Sequence, residues 1–141
     1  MNYSRLGLAA LGGTVTYFAF GSLVFFLLPQ MINEARKHPA LFRTQEEMKT
    51  FMPVGLAGIV IAILIAAVLY AMTYQSGSGA ASGARFGILI GSFVVCGFVL
   101  HTYANLNIGL KLTIEQAVAY FAQWTVVCTV IGLIYKPAAM P

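Results

Sequence analysis

Residues 79–107 read GAASGARFGILIGSFVVCGFVLHTYANLN, and the fold is decided in this stretch. Glycine recurs at every fourth position, at Gly79, Gly83, Gly87 and Gly91. The far end carries the polar cluster His101, Thr102, Tyr103, Asn105 and Asn107. Between them lies an apolar run long enough to cross a bilayer. On a helix turning about 100° per residue, Gly83, Gly87, Gly91, Val94, Phe98, His101 and Asn105 share one face, while Cys96, Tyr103 and Asn107 look away. Small residues four apart let another backbone approach closely inside a membrane. The stretch therefore reads as the packing centre of a transmembrane bundle, with Gly83, Gly87 and Gly91 as its helix-packing residues.

Composition supports a membrane environment. Of 141 residues, 60% are apolar and only 9% charged, against about 25% charged in a soluble domain. So few charges cannot cover the surface of a soluble fold of this size. The formal net charge of +4 comes from basic residues scattered at the flanks of apolar runs, a pattern of membrane-edge anchors rather than of nucleic-acid binding. Cys96 and Cys128 lack the spacing of a redox pair or zinc site and read as buried free thiols.

Working outward, the chain is a single membrane domain over 1–141 with four apolar spans at about 6–28, 53–75, 84–106 and 114–135. The first span is longer than the core of a signal peptide, lacks a convincing cleavage site and reads as a retained helix. The polar loop 29–52 holds seven of the twelve charged side chains. In it, Thr44 followed by Glu47 matches a capping box, with Phe42, Met48, Phe51 and Met52 on one side. Two readings stay open there: a short interfacial helix on the membrane surface, or a solvated loop with one helical turn. Pro53 opens the second span at a position where its missing N–H has no helical partner. Tyr70 and Tyr74 suit an interfacial aromatic belt. Thr113 with Gln116 forms a second capping-box match, which puts Glu115 in the first turn of the fourth span. Short connections make consecutive spans antiparallel. The expected fold is all-α, a four-helix transmembrane bundle with both termini on one side. Arg5, Arg85 and Lys136 mark that side. Arg36, Lys37, Arg43, Lys49 and Lys111 mark the other, and this basic excess leans towards a cytoplasmic long loop.

An ionisable residue inside a span is a functional hypothesis by default, so His101 leads the candidates. Asn105 shares its face, and Gln116, Tyr120 and Gln123 align on the fourth span at comparable depths. These five side chains either satisfy one another and set helix register, or line a pocket for a small molecule or lipid headgroup. A haem held by two histidines lacks its second in-membrane ligand, because His38 falls in the loop; a pigment taking one axial ligand stays open. Apart from His101, the only charged residues in the spans are Arg85 and Glu115 at their extreme ends, which argues against a pump or secondary transporter. No nucleophile elbow, HExxH or phosphate loop is present. The reading includes no catalytic residue, metal or cofactor. Trp124, near mid-span, reads as a packing residue.

The glycine-rich first helix, the alanine-rich second, the third of the form FGILIGSFVV and the closing VIGLIY together resemble a family of small bacterial four-helix membrane proteins known as a domain of unknown function. The resemblance covers most of the chain and implies a multi-pass protein of the bacterial inner membrane. It implies no activity and no site. The chain departs from that family in lacking tryptophan after the first helix. The functional expectation is a non-enzymatic structural or accessory subunit, packing through glycine-rich helix faces into a homo-oligomer or larger membrane complex. The alternative is a small-molecule or lipid-binding bundle around His101. The bilayer is the one partner common to both, and nucleic acid is partner to neither.

Overall fold

The structure, a computed structural model, describes residues 1–28, 33, 36–37, 43–74 and 79–135. Four long helices account for nearly all of them: α1 (Tyr3–Leu27), α2 (Gln45–Thr73), α3 (Ala80–Asn105) and α4 (Leu110–Ile134). All four are long and apolar enough to span a bilayer. Among the described residues there is no strand. The fold class is the four-helix transmembrane bundle expected from the hydropathy pattern.

Helix starts are where local chemistry corrects the sequence reading. α1 begins at Tyr3, before the apolar run, because the Asn2 carboxamide oxygen accepts from the Arg5 N–H at 3.1 Å. The Thr44–Glu47 box forms, with Thr44 N–H donating to the Glu47 carboxylate at 2.9 Å and Glu47 N–H to the Thr44 hydroxyl at 3.3 Å. It caps α2 itself rather than a separate interfacial helix; the rest of the expected loop, residues 29–42 apart from 33, 36 and 37, lies outside the described residues. Pro53 is consequently inside the helix, not at its start. The 29 residues of α2 span roughly 44 Å against about 30 Å of hydrocarbon. The first turns thus project beyond the hydrocarbon, and the carbonyl that Pro53 leaves unbonded sits where interfacial water can reach it. The second expected box fails. α4 starts one turn earlier, at Leu110, and the Thr113 hydroxyl donates back to the Gly109 carbonyl at 3.2 Å. Buried Ile108 and Leu112 draw that earlier turn into the bundle, and Glu115 falls in the second turn.

The packing centre is α4, not α3. It touches each of the other helices, and 39% of its apolar window is buried, against 22% for α2 and α3 and 6% for α1. α3 and α1 both run antiparallel to it. Gly83, Gly87 and Gly91 approach Gly132, Thr125 and Phe121 in turn, while Gly13 and Gly21 approach Ile131 and Gln123. α2 joins through its second half, where Ile63, Ala66, Ala67 and Tyr70 are buried. Residues 46–58 of the same helix are exposed throughout.

The other departure is inside α3. Residues Val95–Leu100 form a π-helical segment, whose i→i+5 bonding accommodates one extra residue. Buried positions run Gly83, Gly87, Gly91 and then Val99. On an uninterrupted α-helix, Val99 would sit about 80° off the glycine face; the π turn brings it back. Phe98, His101 and Asn105, expected on that face, are exposed instead.

Candidate functional site

The three glycines sit against the backbone of α4. A Cβ built on Gly83 would lie 2.5 Å from the Cys128 carbonyl oxygen, and one on Gly87 would lie 2.7 Å from Thr125 Cα. One on Gly91 would lie 3.0 Å from the Phe121 carbonyl oxygen. Gly132, which the sequence reading passed over, faces Gly83 at 2.7 Å in the same sense. Its signal was present in VIGLIY, one glycine at the end of the fourth span opposite the glycine that opens the third.

The five polar candidates do not converge. Gln123 is buried, and its Nε2 donates to the Tyr17 carbonyl of α1 at 2.8 Å. Gly21 makes room for this, since a Cβ there would stand 3.2 Å from that nitrogen. The Tyr17 ring meets Trp124 edge-on, with centroids 5.8 Å apart. Tyr120 is half-buried and meets the Phe98 ring at 5.9 Å and 86°; Gln116 is half-buried. His101 and Asn105 are exposed on the outside of α3, where Asn105 Nδ2 donates to the His101 carbonyl at 2.7 Å within the same helix. The π turn explains the separation: it rotates the end of α3 so that Val99 rather than His101 looks towards α4. Tyr17 was missing from the expected set because its contribution is a backbone carbonyl, which no residue pattern marks.

Hydroxyl groups are used locally. Thr14, Thr16, Ser22, Thr125 and Thr129 each donate to the carbonyl four residues back, at 2.7–2.9 Å, as polar side chains in hydrocarbon must find a nearby acceptor. Tyr70 and Tyr74 do not form the expected outer belt alone. With Phe86 and Tyr135 they make an edge-to-face cluster with centroids 5.6–6.3 Å apart, and Tyr70 is 1% exposed. The Tyr70 hydroxyl and one Glu115 carboxylate oxygen are buried without a hydrogen-bond partner among the described residues. Cys128 is buried, but Cys96 is exposed on the outer surface, against the expectation of two buried thiols. Among the described residues no three His, Cys, Asp or Glu side chains gather as a metal site would require.

The four apolar spans and their packing define a multi-pass integral membrane protein of the helical-bundle class. Compared with protein-family models, with curated proteins and with solved structures, the chain matches none.

Proposed function

We propose that this protein is a non-enzymatic structural or accessory subunit of a membrane assembly, either a homo-oligomer or a larger complex, in the inner membrane of a bacterium. The observation that carries the reading is the division of labour among the helices. Gly83, Gly87, Gly91 and Gly132 are consumed in closing α3 onto α4, and Gln123 ties α1 to the same helix. The first half of α2 is left over. Met48, Phe51, Met52 and Val54 are 46–70% exposed there, and Gly55 and Gly58 have nothing within 4 Å of an added Cβ. Two glycines on one face, without a neighbour among the described residues, offer the close approach that transmembrane partners use. The resemblance to small bacterial four-helix proteins supports the location.

Gly58→Leu tests the reading. On blue native gels in mild detergent, the wild type should migrate as an assembly and the variant as a smaller species with its helix content unchanged. A wild type that runs as a single 15.1 kDa chain in its micelle, and is unaffected by the substitution, would overturn it.

A further inference from the structure

Beyond its π segment, α3 is held in place by very little. Val99 is 0% exposed, yet none of the residues His101–Asn105 is buried. Leu106 and Asn107, which follow, are non-helical and exposed, and a Cβ built on Gly109 would meet nothing within 4 Å. The helix end can therefore turn without breaking a packed core. Two orientations are open to it. With the extra residue held in Val95–Leu100, Val99 faces inwards while Phe98, His101 and Asn105 face out. With the segment wound as ordinary α-helix, everything beyond it turns by about 100°. Phe98, His101 and Asn105 then continue the face of Gly83, Gly87 and Gly91. Each orientation buries one apolar side chain, Val99 or Phe98, so apolar packing decides little between them.

We propose that α3 switches between these two registers with the thickness of the bilayer, and that His101 is the residue that senses it. The 26 residues of α3 span roughly 39 Å, about 9 Å more than the hydrocarbon of an ordinary bilayer. Shared between the two ends, that excess puts the His101 backbone, four residues before the helix end at Asn105, within about 2 Å of the hydrocarbon edge. In a thin bilayer the exposed imidazole reaches water and headgroups. A thicker bilayer draws it into hydrocarbon, where an unpaired polar ring is costly. The α register removes that cost, because it turns His101 towards α4. Tyr120 stands there, half-buried and already in edge-on contact with Phe98 at 5.9 Å. Its hydroxyl both donates and accepts, as a neutral imidazole does. Thickness thus acts on the difference between the two registers, which is what shifts a two-state equilibrium. The switch lies in α3 and α4 and is independent of the exposed half of α2.

Cysteine accessibility reads the register. In a background with Cys96 and Cys128 replaced by alanine, Val99→Cys and Phe98→Cys sit at neighbouring depths. The ratio of their N-ethylmaleimide labelling rates therefore reports facing and cancels immersion. The full-length protein is reconstituted in dimyristoleoyl phosphatidylcholine, a thin bilayer, and in dierucoyl phosphatidylcholine, a thick one. The ratio of Val99→Cys to Phe98→Cys labelling should rise about tenfold from the thin bilayer to the thick. His101→Leu, which has no polar ring to shelter, should keep the thin-bilayer ratio in both lipids. So should deletion of Gly97, which removes the extra residue on which the choice depends. A ratio that does not change with His101 present would overturn the proposal. An equal rise in His101→Leu would do the same, since the bilayer would then act through something other than the imidazole. Solid-state NMR of the chain without cysteine variants gives a second readout. A histidine–tyrosine contact, lost in Tyr120→Phe, should be present in the thick bilayer and absent from the thin one; the same spectrum in both would refute the switch.

Discussion

Gly83 and Gly132 meet with no side chain between their helices: a Cβ on Gly132 would lie 2.7 Å from Gly83 Cα, and one on Gly83 would lie 3.0 Å from Gly132 Cα. Both obstructing atoms are backbone, so no rotamer change relieves the clash. Gly83→Ala or Gly132→Ala must push α3 and α4 apart, at a cost of about 1–3 kcal/mol for overpacking a closed interface. Gly87→Leu, against the Thr125 backbone at 2.7 Å, should prevent the pair from closing. Thermal unfolding in detergent measures the effect. Gly7→Ala and Gly97→Ala, with nothing within 4 Å, are the controls. A Gly83→Ala midpoint equal to theirs would show that the helices are not in backbone contact.

The fold was legible because the bilayer imposes it. An apolar run of membrane length with few charges has one stable form, and four such runs with short connections have few arrangements. Glycine spacing marked the side of α3 that meets a neighbour. It could not say that α4, with a single glycine near its end, would be the helix that all others touch. The polar site was not legible for a different reason. Its placement depended on carrying one helical period across VCGFVL, and a single extra residue there turns His101 from the inner face to the outer. Where α2 begins was also obscured, because Pro53 looks like a helix start whenever the turns before it are polar.

Thr44 holds the first turn of α2 through both bonds of its box with Glu47. Thr44→Ala removes the side-chain acceptor of the Glu47 N–H and should cost that end of the helix about 1 kcal/mol. Since residues 46–58 bury nothing in this chain, the loss should stay local. Hydrogen exchange should accelerate over the first turns of α2 with the unfolding midpoint unchanged. A drop in the global midpoint would mean that the projecting turns are packed against something.

Gln123 and the Tyr17 carbonyl form a hydrogen bond between helices at mid-membrane depth. Its strength is modest, about 0.6 kcal/mol on average for such pairs, since the carbonyl also lies within reach of its own helix. Gln123→Leu should therefore lower stability only slightly. Gly21→Val should do more harm, because its side chain would displace the Gln123 amide, whose nitrogen stands 3.2 Å from the nearest added carbon. In the double variant Gly21→Val, Gln123→Ala, the space vacated by the amide should recover part of the loss. Purely additive effects in that cycle would separate the two residues.

The π segment makes the sharpest prediction, because it turns on the count of one residue. From Gly91 to Val99 is eight positions, which on an α-helix leaves Val99 about 80° from the glycine face; seven would leave it about 20° away. Deleting Gly97 should therefore convert the π turn to α and preserve the facing of everything beyond it. In a background with Cys96 and Cys128 replaced by alanine, Val99→Cys should resist maleimide while Phe98→Cys and His101→Cys react, both with Gly97 present and with it deleted. Deleting Ile88 from the regular part of α3 should instead disrupt the match between its two ends, because no widened turn is there to absorb the loss. Should Val99→Cys react and Phe98→Cys and His101→Cys be protected with Gly97 present, and the Gly97 deletion exchange that pattern, the segment carries no extra residue, and His101 belongs on the inner face after all.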